Sequence, residues 1–271
     1  LKYALVNGNR TEAYESGLRG ECSYCHGETI AKCGERRLRI WHWAHKSKVQ
    51  CDPWWEGETE WHRAWKDRFP KEWQEIHHID PATEDKHVAD VKTDKGLVIE
   101  FQHSAIMPSE VRSREAFYGN MVWVVDGARL KSDRRRFSNG LGTLRGLTVG
   151  NVNMAGWFSP TLPENCFPTS WLTSSVPIFF DFQGIAPSDQ QDARSAGLWC
   201  LFPGRMEGHT VVAHITQEQF IDLSSSRPHL LRGQEYLSRI AGEIRHRHAI
   251  ASQRVVLQAP YARYARRRRR L

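Results

Sequence analysis

Two acids lie in an apolar hairpin, KHVADVKTDKGLVIEFQHS (residues 86–104). Asp90 sits among Val88, Ala89 and Val91, and Glu100 sits between Ile99 and Phe101. Burying a carboxylate without a partner is costly, so these two must either share a cation or face a cleft. If Asp94-Lys95-Gly96 form a three-residue loop with Gly96 left-handed, Thr93 pairs with Leu97 and Asp90 falls opposite Glu100. Residues directly opposite share a face, with Cβ atoms about 4.5–5.5 Å apart. Gln102, two residues after Glu100, lies on that face too. A four-residue loop would send the acids to opposite faces. Strict alternation puts His87 opposite Asp90, within reach only if the strand bulges.

A second group of chemistry-bearing residues precedes the hairpin. Cys22-x2-Cys25 is followed by His42-x2-His45 and then Cys51. This spacing reads as metal before disulfide in a chain that opens without an apolar export segment. Zinc takes four such ligands in a closed structural site. If RIWHWAH is a strand, His42 and His45 point to opposite faces and one of them ligates. Cys22, Cys25, His45 and Cys51 are the expected set, with His42 as the alternate. Cys33 is spare, and Cys166 and Cys200 read as small core residues.

The elements that position these residues follow from periodicity. GETEWHRAWKDRF (57–69) has helical spacing. At about 100° per residue, Trp61, Trp65 and Phe69 form a buried stripe bordered by a row of Glu58, His62 and Lys66. EWQEIHHI reads as a strand and HVADV/LVIEFQ as the hairpin. PSEVRSREAFYGN is a helix opening on Pro108 and closing at Gly119 or Asn120, and MVWVVDG is a buried strand. The order is α-β-β-β-α-β.

An aspartate, then a glutamate in the next strand with a polar residue two further on, resembles the PD-(D/E)XK nuclease superfamily, whose core has that element order. Gln102 stands where those enzymes usually carry lysine. More specifically, residues 20–130 resemble the competence protein CoiA-like family. The matching stretches are ECSYC, WHWAHKS, CDPWWEGETEWHRAWK, KHVADV, IEFQHS and RSREAFY. The resemblance implies a restriction-endonuclease-like α/β core behind an N-terminal zinc-binding segment, acting on DNA. Asp90 and Glu100 would hold Mg2+ or Mn2+, and Gln102 would orient water without acting as a base. Glu58 is then a further metal ligand, and His62 and Lys66 serve as proton shuttle and phosphate clamp. The alternative for that row is salt-bridge pairing on an exposed face. Arg114 on the second helix is a candidate phosphate contact, whereas Arg112 reads as solvated. A DNA-binding recombination factor that no longer cleaves, and an RNA nuclease, remain alternative functions.

Charge adds a partner expectation. The chain carries +7, and six arginines within the last nine residues account for most of it. RLKSDRRR (129–136) is the other basic stretch. Basicity so localised suits contact with a polyanion, with Arg134, Arg135, Arg136, Arg266, Arg267 and Arg268 as the expected DNA contacts. No run approaches the ~18 apolar residues of a membrane helix, and the expected location is cytoplasmic. A homodimer is compatible with this reading. The expected organisation is an N-terminal zinc-binding segment (1–52), the nuclease core (53–128), a basic linker (129–150), a C-terminal α+β region (151–262) and an Arg-rich tail (263–271).

Overall fold

The computed structural model describes residues 1–34, 40–47, 51–80, 83–149, 152–160, 162–183, 197–205, 210–230 and a few positions between 238 and 250. It is a mixed α/β structure with two sheets. The N-terminal sheet contains β1 (Tyr3–Val6), β2 (Asn9–Glu12), β3 (Arg19–Glu21), β4 (Glu28–Lys32) and β5 (His42–His45), in the order β2-β1-β3-β4-β5. Its small core is Ala4, Ala13, Ala31 and the buried Trp43.

The next segment runs α1 (Glu60–Lys66), β6 (Gln74–Ile79), β7 (Lys86–Lys92), β8 (Val98–Gln102), α2 (Pro108–Tyr118) and β9 (Met121–Asp126). This is the expected α-β-β-β-α-β order. Helix α1 starts at a capping box, in which the Thr59 hydroxyl accepts from the His62 backbone and His62 accepts from the Thr59 backbone N–H. Helix α2 opens on Pro108 and ends at Gly119, whose φ of 66° suits glycine.

The rest of the chain does not stand apart. Residues 129–150, expected as a linker, carry α3 (Lys131–Gly140) and β10 (Leu144–Val149). Phe137 anchors α3 by stacking on Phe182 with ring centroids 3.9 Å apart, a hydrophobic contact that the basic composition conceals. Strands β11 (Val152–Pro160), β12 (Ile178–Asp181), β13 (Gly197–Leu201) and β14 (Val212–Thr216) then join the strands of the preceding segment, and α4 (Gln217–Ser226) follows. The result is one nine-stranded sheet, β10-β11-β14-β13-β12-β9-β8-β7-β6. β9 runs parallel to both β8 and β12, and the other pairs are antiparallel. One face packs on Trp65 and Phe69 at α1 and Phe220 of α4. The other packs on Val111 and Tyr118 of α2 and Phe137 of α3. The Arg-rich tail, with Arg266, Arg267 and Arg268, lies outside the described residues. No helix among the described residues is long and apolar enough to cross a membrane.

Candidate metal centre and acid cavity

The first candidate site is the Cys/His cluster. The ligand atoms of Cys22, Cys25, His45 and Cys51 all lie within 4.8 Å of one another. Zinc–sulfur bonds of about 2.3 Å in a tetrahedron place ligand atoms roughly 3.5–4 Å apart, so the four side chains fit an ion. Strand β5 divides its two histidines as expected. His45 Nε2 lies 3.2 Å from Cys25 Sγ, whereas His42 Nδ1 faces the Ile40 carbonyl at 2.8 Å. The turn between the first two cysteines is closed by Cys22 N–H donating to the Gly27 carbonyl and His26 N–H to the Cys22 carbonyl, both at 2.9 Å. Burial pushes the Cys22 thiol up, and burial with the neighbouring Cys22 and Cys25 pushes Cys51 up to about 12. A divalent cation at the centre reverses that balance. Burial also lowers His45, favouring the neutral imidazole that a metal needs. The cluster can therefore hold a metal such as zinc. Among the described residues it is the one group of three or more such side chains whose ligand atoms converge.

The second site is built on the hairpin. Gly96 has φ 82°, Gly96 N–H donates to the Thr93 carbonyl, and Thr93 N–H donates to the Leu97 carbonyl. Val91 pairs with Ile99 and Lys92 with Val98, which is the expected register. At the acids the ladder opens. Phe101 N–H donates to Asp90 Oδ2 at 2.9 Å, and Asp90 N–H donates to Glu100 Oε1 at 3.1 Å. Each carboxylate thus replaces a strand partner. Val91 packs in the cluster on the α1 face and Ala89 in the cluster on the α2 face, so β7 turns over at Asp90. The neighbouring strand distorts as well, because Glu75 is a non-glycine residue at φ 46°.

Asp90 and Glu100 line one cavity of about 330 Å³, together with His62, Lys66, Glu56, Glu58 and Glu75. Residues of the N-terminal module, including His42, Trp43, His45 and Cys51, line it too. Lys66 comes from α1 and is buried. Its Nζ lies 2.9 Å from Asp90 Oδ1, 3.2 Å from Glu58 Oε1 and 3.3 Å from Glu75 Oε1. Burial opposes its charge, but Asp90, Glu75 and Glu58 overcome that and hold the ammonium protonated. Burial likewise pushes Glu58 and Glu75 up, and Lys66, aided by Arg63 at Glu58 and by the Lys2 N–H at Glu75, more than offsets it, leaving both below the usual carboxylate range. Glu100 behaves oppositely. Burial and the adjacent Asp90 raise it to about 8, although Arg114 Nη1 donates to it at 3.1 Å. Six acids and the side-chain cations Lys66 and Arg114 line the cavity, and even with Glu100 protonated the remaining carboxylates outnumber those cations, which favours a divalent cation.

Several expected residues have other settings. Glu58 precedes the helix, before the cap at Thr59, and also pairs with Arg63 at 2.5 Å. Arg114 is buried rather than a surface phosphate contact, since its donors go to Glu100, Glu110 and the Trp54 carbonyl. Gln102 does not line the cavity. Its Nε2 donates to Glu56 Oε2 at 2.9 Å and to the Ser104 carbonyl at 3.1 Å. His87 faces away from Asp90, stacked on Trp54 and bonded to Asp52 Oδ1 at 2.9 Å. Arg112 is exposed. Arg134 and Arg135 are exposed on α3, whereas Arg136 is half-buried and pairs with Asp133 at 3.3 Å.

Sequence reasoning passed over Glu56, Glu75 and Asp52. Glu56 accepts from His62 Nε2 at 2.5 Å, Gln102 Nε2 and the His103 N–H at 3.1 Å, as well as from Ser104. Burial pushes its carboxyl up, but His62, Ser104 and the backbone donors hold it at about 2. Because Thr59 N–H donates to His62 Nδ1, His62 carries its proton on Nε2 and presents it to Glu56. Glu75 accepts from the Lys2 and Tyr3 backbone N–H groups of the N-terminal module. The signal for Glu56 was there to be found: Asp52, Trp54, Glu56 and Glu58 fall at every second position, and burial follows that alternation. Compared with known proteins, the chain matches no family model, no curated protein and no solved structure.

Proposed function

We propose that this chain is a metal-dependent nuclease that hydrolyses DNA phosphodiester bonds, as the CoiA-like and PD-(D/E)XK resemblance implies. The observation that carries the reading is the entry of Asp90 and Glu100 into one cavity with Lys66 Nζ 2.9 Å from Asp90. Mg2+ is commonly held by one or two carboxylates with substrate phosphates completing the shell, which suits two acids without a third converging ligand. The ion, when bound, supplies Lewis-acid polarisation of the phosphate and a more acidic water. Asp90 and Glu100 hold it. Lys66 provides the cation that Gln102 cannot, placed to stabilise charge on the phosphate oxygens. His62, oriented by Glu56 and the helix cap, can hold or pass a proton at Nε2. In this reading zinc fills the Cys/His cluster, and the exposed Arg134 and Arg135 contact the DNA backbone.

A DNA-binding factor without cleavage is the second reading. It is favoured by the saturation of the acids, since Lys66 and Arg114 already serve Asp90 and Glu100. One assay separates the two. The protein is incubated with single-stranded, duplex and branched DNA and with RNA, with Mg2+ or Mn2+ or without either. Metal-dependent cleavage of DNA that Asp90→Ala and Glu100→Ala abolish is the expected result. Binding without cleavage selects the second reading, and cleavage of RNA alone selects a ribonuclease. Variants that cut at the wild-type rate refute the site.

A further inference from the structure

The metal cluster and the acid cavity are joined by one segment, residues 51–58, a turn over residues 51–54 followed by irregular chain. Cys51 belongs to the cluster. After it, Asp52, Trp54, Glu56 and Glu58 turn inward, while Pro53, Trp55 and Gly57 are exposed. Each inward residue holds a different part of the acid site. The Asp52 carboxylate takes His87 Nδ1 at 2.9 Å and the Val88 N–H at 2.8 Å, two residues before Asp90. The Trp54 carbonyl takes Arg114 Nη2 at 2.7 Å, and Nη1 of the same guanidinium holds Glu100. Glu56 gathers His62, Gln102, His103 and Ser104 at the end of β8. Glu58 pairs with Lys66 at 3.2 Å.

We propose that segment 51–58 couples the two sites: a metal ion bound through Cys51 assembles the acid cavity, and Glu56 is the positioning residue at the far end. The segment forms no strand or helix of its own, so beyond the turn in which Trp55 N–H donates to the Asp52 carbonyl and Trp54 N–H to Asp52 Oδ1, its order comes from its contacts with the acid site and from its ends. Ordering such a stretch costs conformational entropy. A metal–thiolate bond at Cys51 fixes one end and lowers the remaining cost of seating Asp52, Trp54, Glu56 and Glu58. Coupling is reciprocal. Metal binding must strengthen the seating of Glu56, and the seating of Glu56 must strengthen retention of the metal. The inference rests on the cluster holding a metal and not on the reaction at the acids.

Full-length zinc-loaded protein is compared with the same protein after chelator treatment, by hydrogen–deuterium exchange. The amides of Val88, His103 and Ser104, which donate to Asp52 and Glu56, should lose about tenfold or more in protection, within the usual range of coupling factors. Amides of Val122–Val125 in the sheet interior should keep theirs. Unchanged protection at Val88, His103 and Ser104 with the metal gone overturns the proposal. Stripping that unfolds the whole chain will show as exchange at Val122–Val125, and a second measurement then decides. In zinc-loaded Glu56→Gln with an intact sheet interior, transfer of zinc to a competing chelator should accelerate about tenfold, and an unchanged rate overturns the coupling. A purified protein with no metal at the cluster overturns it as well. None of these readouts uses cleavage, so a failed nuclease assay strikes the proposed function alone.

Discussion

Lys66→Met removes a buried charge while keeping most of the apolar stem. In the wild type that single ammonium lies 2.9 Å from Asp90, 3.2 Å from Glu58 and 3.3 Å from Glu75. Removing one partner of a buried ion pair costs about 3–5 kcal/mol, and here three acids lose it at once. For a folded unit of this size ~1 kcal/mol moves the midpoint by roughly 2–4 °C, so the variant should melt about 6–20 °C lower near neutral pH. The deficit should depend on pH with a definite sign. Burial pushes Glu58 and Glu75 up, and Lys66 is the first of the groups that bring both below the usual carboxylate range, with Arg63 also acting on Glu58. Depressed carboxyls contribute stability that is present above their unfolded values and lost as pH falls through their folded values. In Lys66→Met both groups lose that opposing charge and rise, although Arg63 still holds Glu58 and the Lys2 and Tyr3 N–H groups still hold Glu75, so the folded variant takes up protons on acidification. The gap between wild type and variant should therefore be widest at about pH 7.5 and narrow toward about pH 5. Thermal unfolding followed by circular dichroism across this range is the assay. A drop under ~2 °C near neutrality, or an equal drop at both ends, would refute the reasoning.

Glu100→Gln should abolish metal-dependent cleavage yet stabilise the protein at alkaline pH. The Glu100 carboxyl is raised from 4.5 to about 8, so wild-type stability falls as pH rises through that window while the variant lacks the slope; parallel curves would contradict this. Elemental analysis of protein purified in metal-free buffer should find about one zinc per chain, and Cys51→Ser should lose it. Deleting residues 263–271 removes six arginines and should flatten the log K versus log salt slope for DNA by up to about 5 units, at about 0.9 per phosphate contact. Cleavage at saturating DNA should survive the deletion, and an unchanged slope would mean those arginines make no phosphate contact.

The hairpin register was legible because turn chemistry decides it: once Gly96 takes a positive φ, every pair up to the acids follows. Lys66 was legible because helical spacing places it one turn beyond His62, beside the Trp65 stripe. That one of His42 and His45 joins the cluster followed from strand alternation, whereas the choice of His45 comes from the structure. Glu75 was not legible, since its positive φ breaks the alternation that would have placed it. Gln102 lies on the face of Glu100, as alternation places it, the two pairing with Trp123 and Val125 of β9; what alternation does not reveal is that Glu56 and Ser104 take its amide. Arg114 read as a phosphate contact because periodicity does not reveal that a buried glutamate across the fold needs it. The apolar runs near residues 200 and 212 could be read as strands, but nothing local says which strand they join. They pair with β12 and β11, and the parallel pairing of β12 with β9 that ties them to the acid-bearing strands spans more than fifty residues.

The place of β9 in the sheet bears on how the molecule can be dissected. All six residues Met121–Asp126 are buried, with β8 on one side and β12 on the other. A fragment ending after residue 128 would keep both acids, Lys66 and the Cys/His cluster, yet would leave β9 with an unpaired, flat, apolar edge. Such an edge recruits strands from other chains. The N-terminal half expressed alone should therefore form aggregates rather than a minimal enzyme, whereas fragments that retain β12 and β13 keep the edge covered. The two acids, Lys66 and the Cys/His cluster thus lie in one half of the chain, and the strands that cover the β9 edge lie in the other.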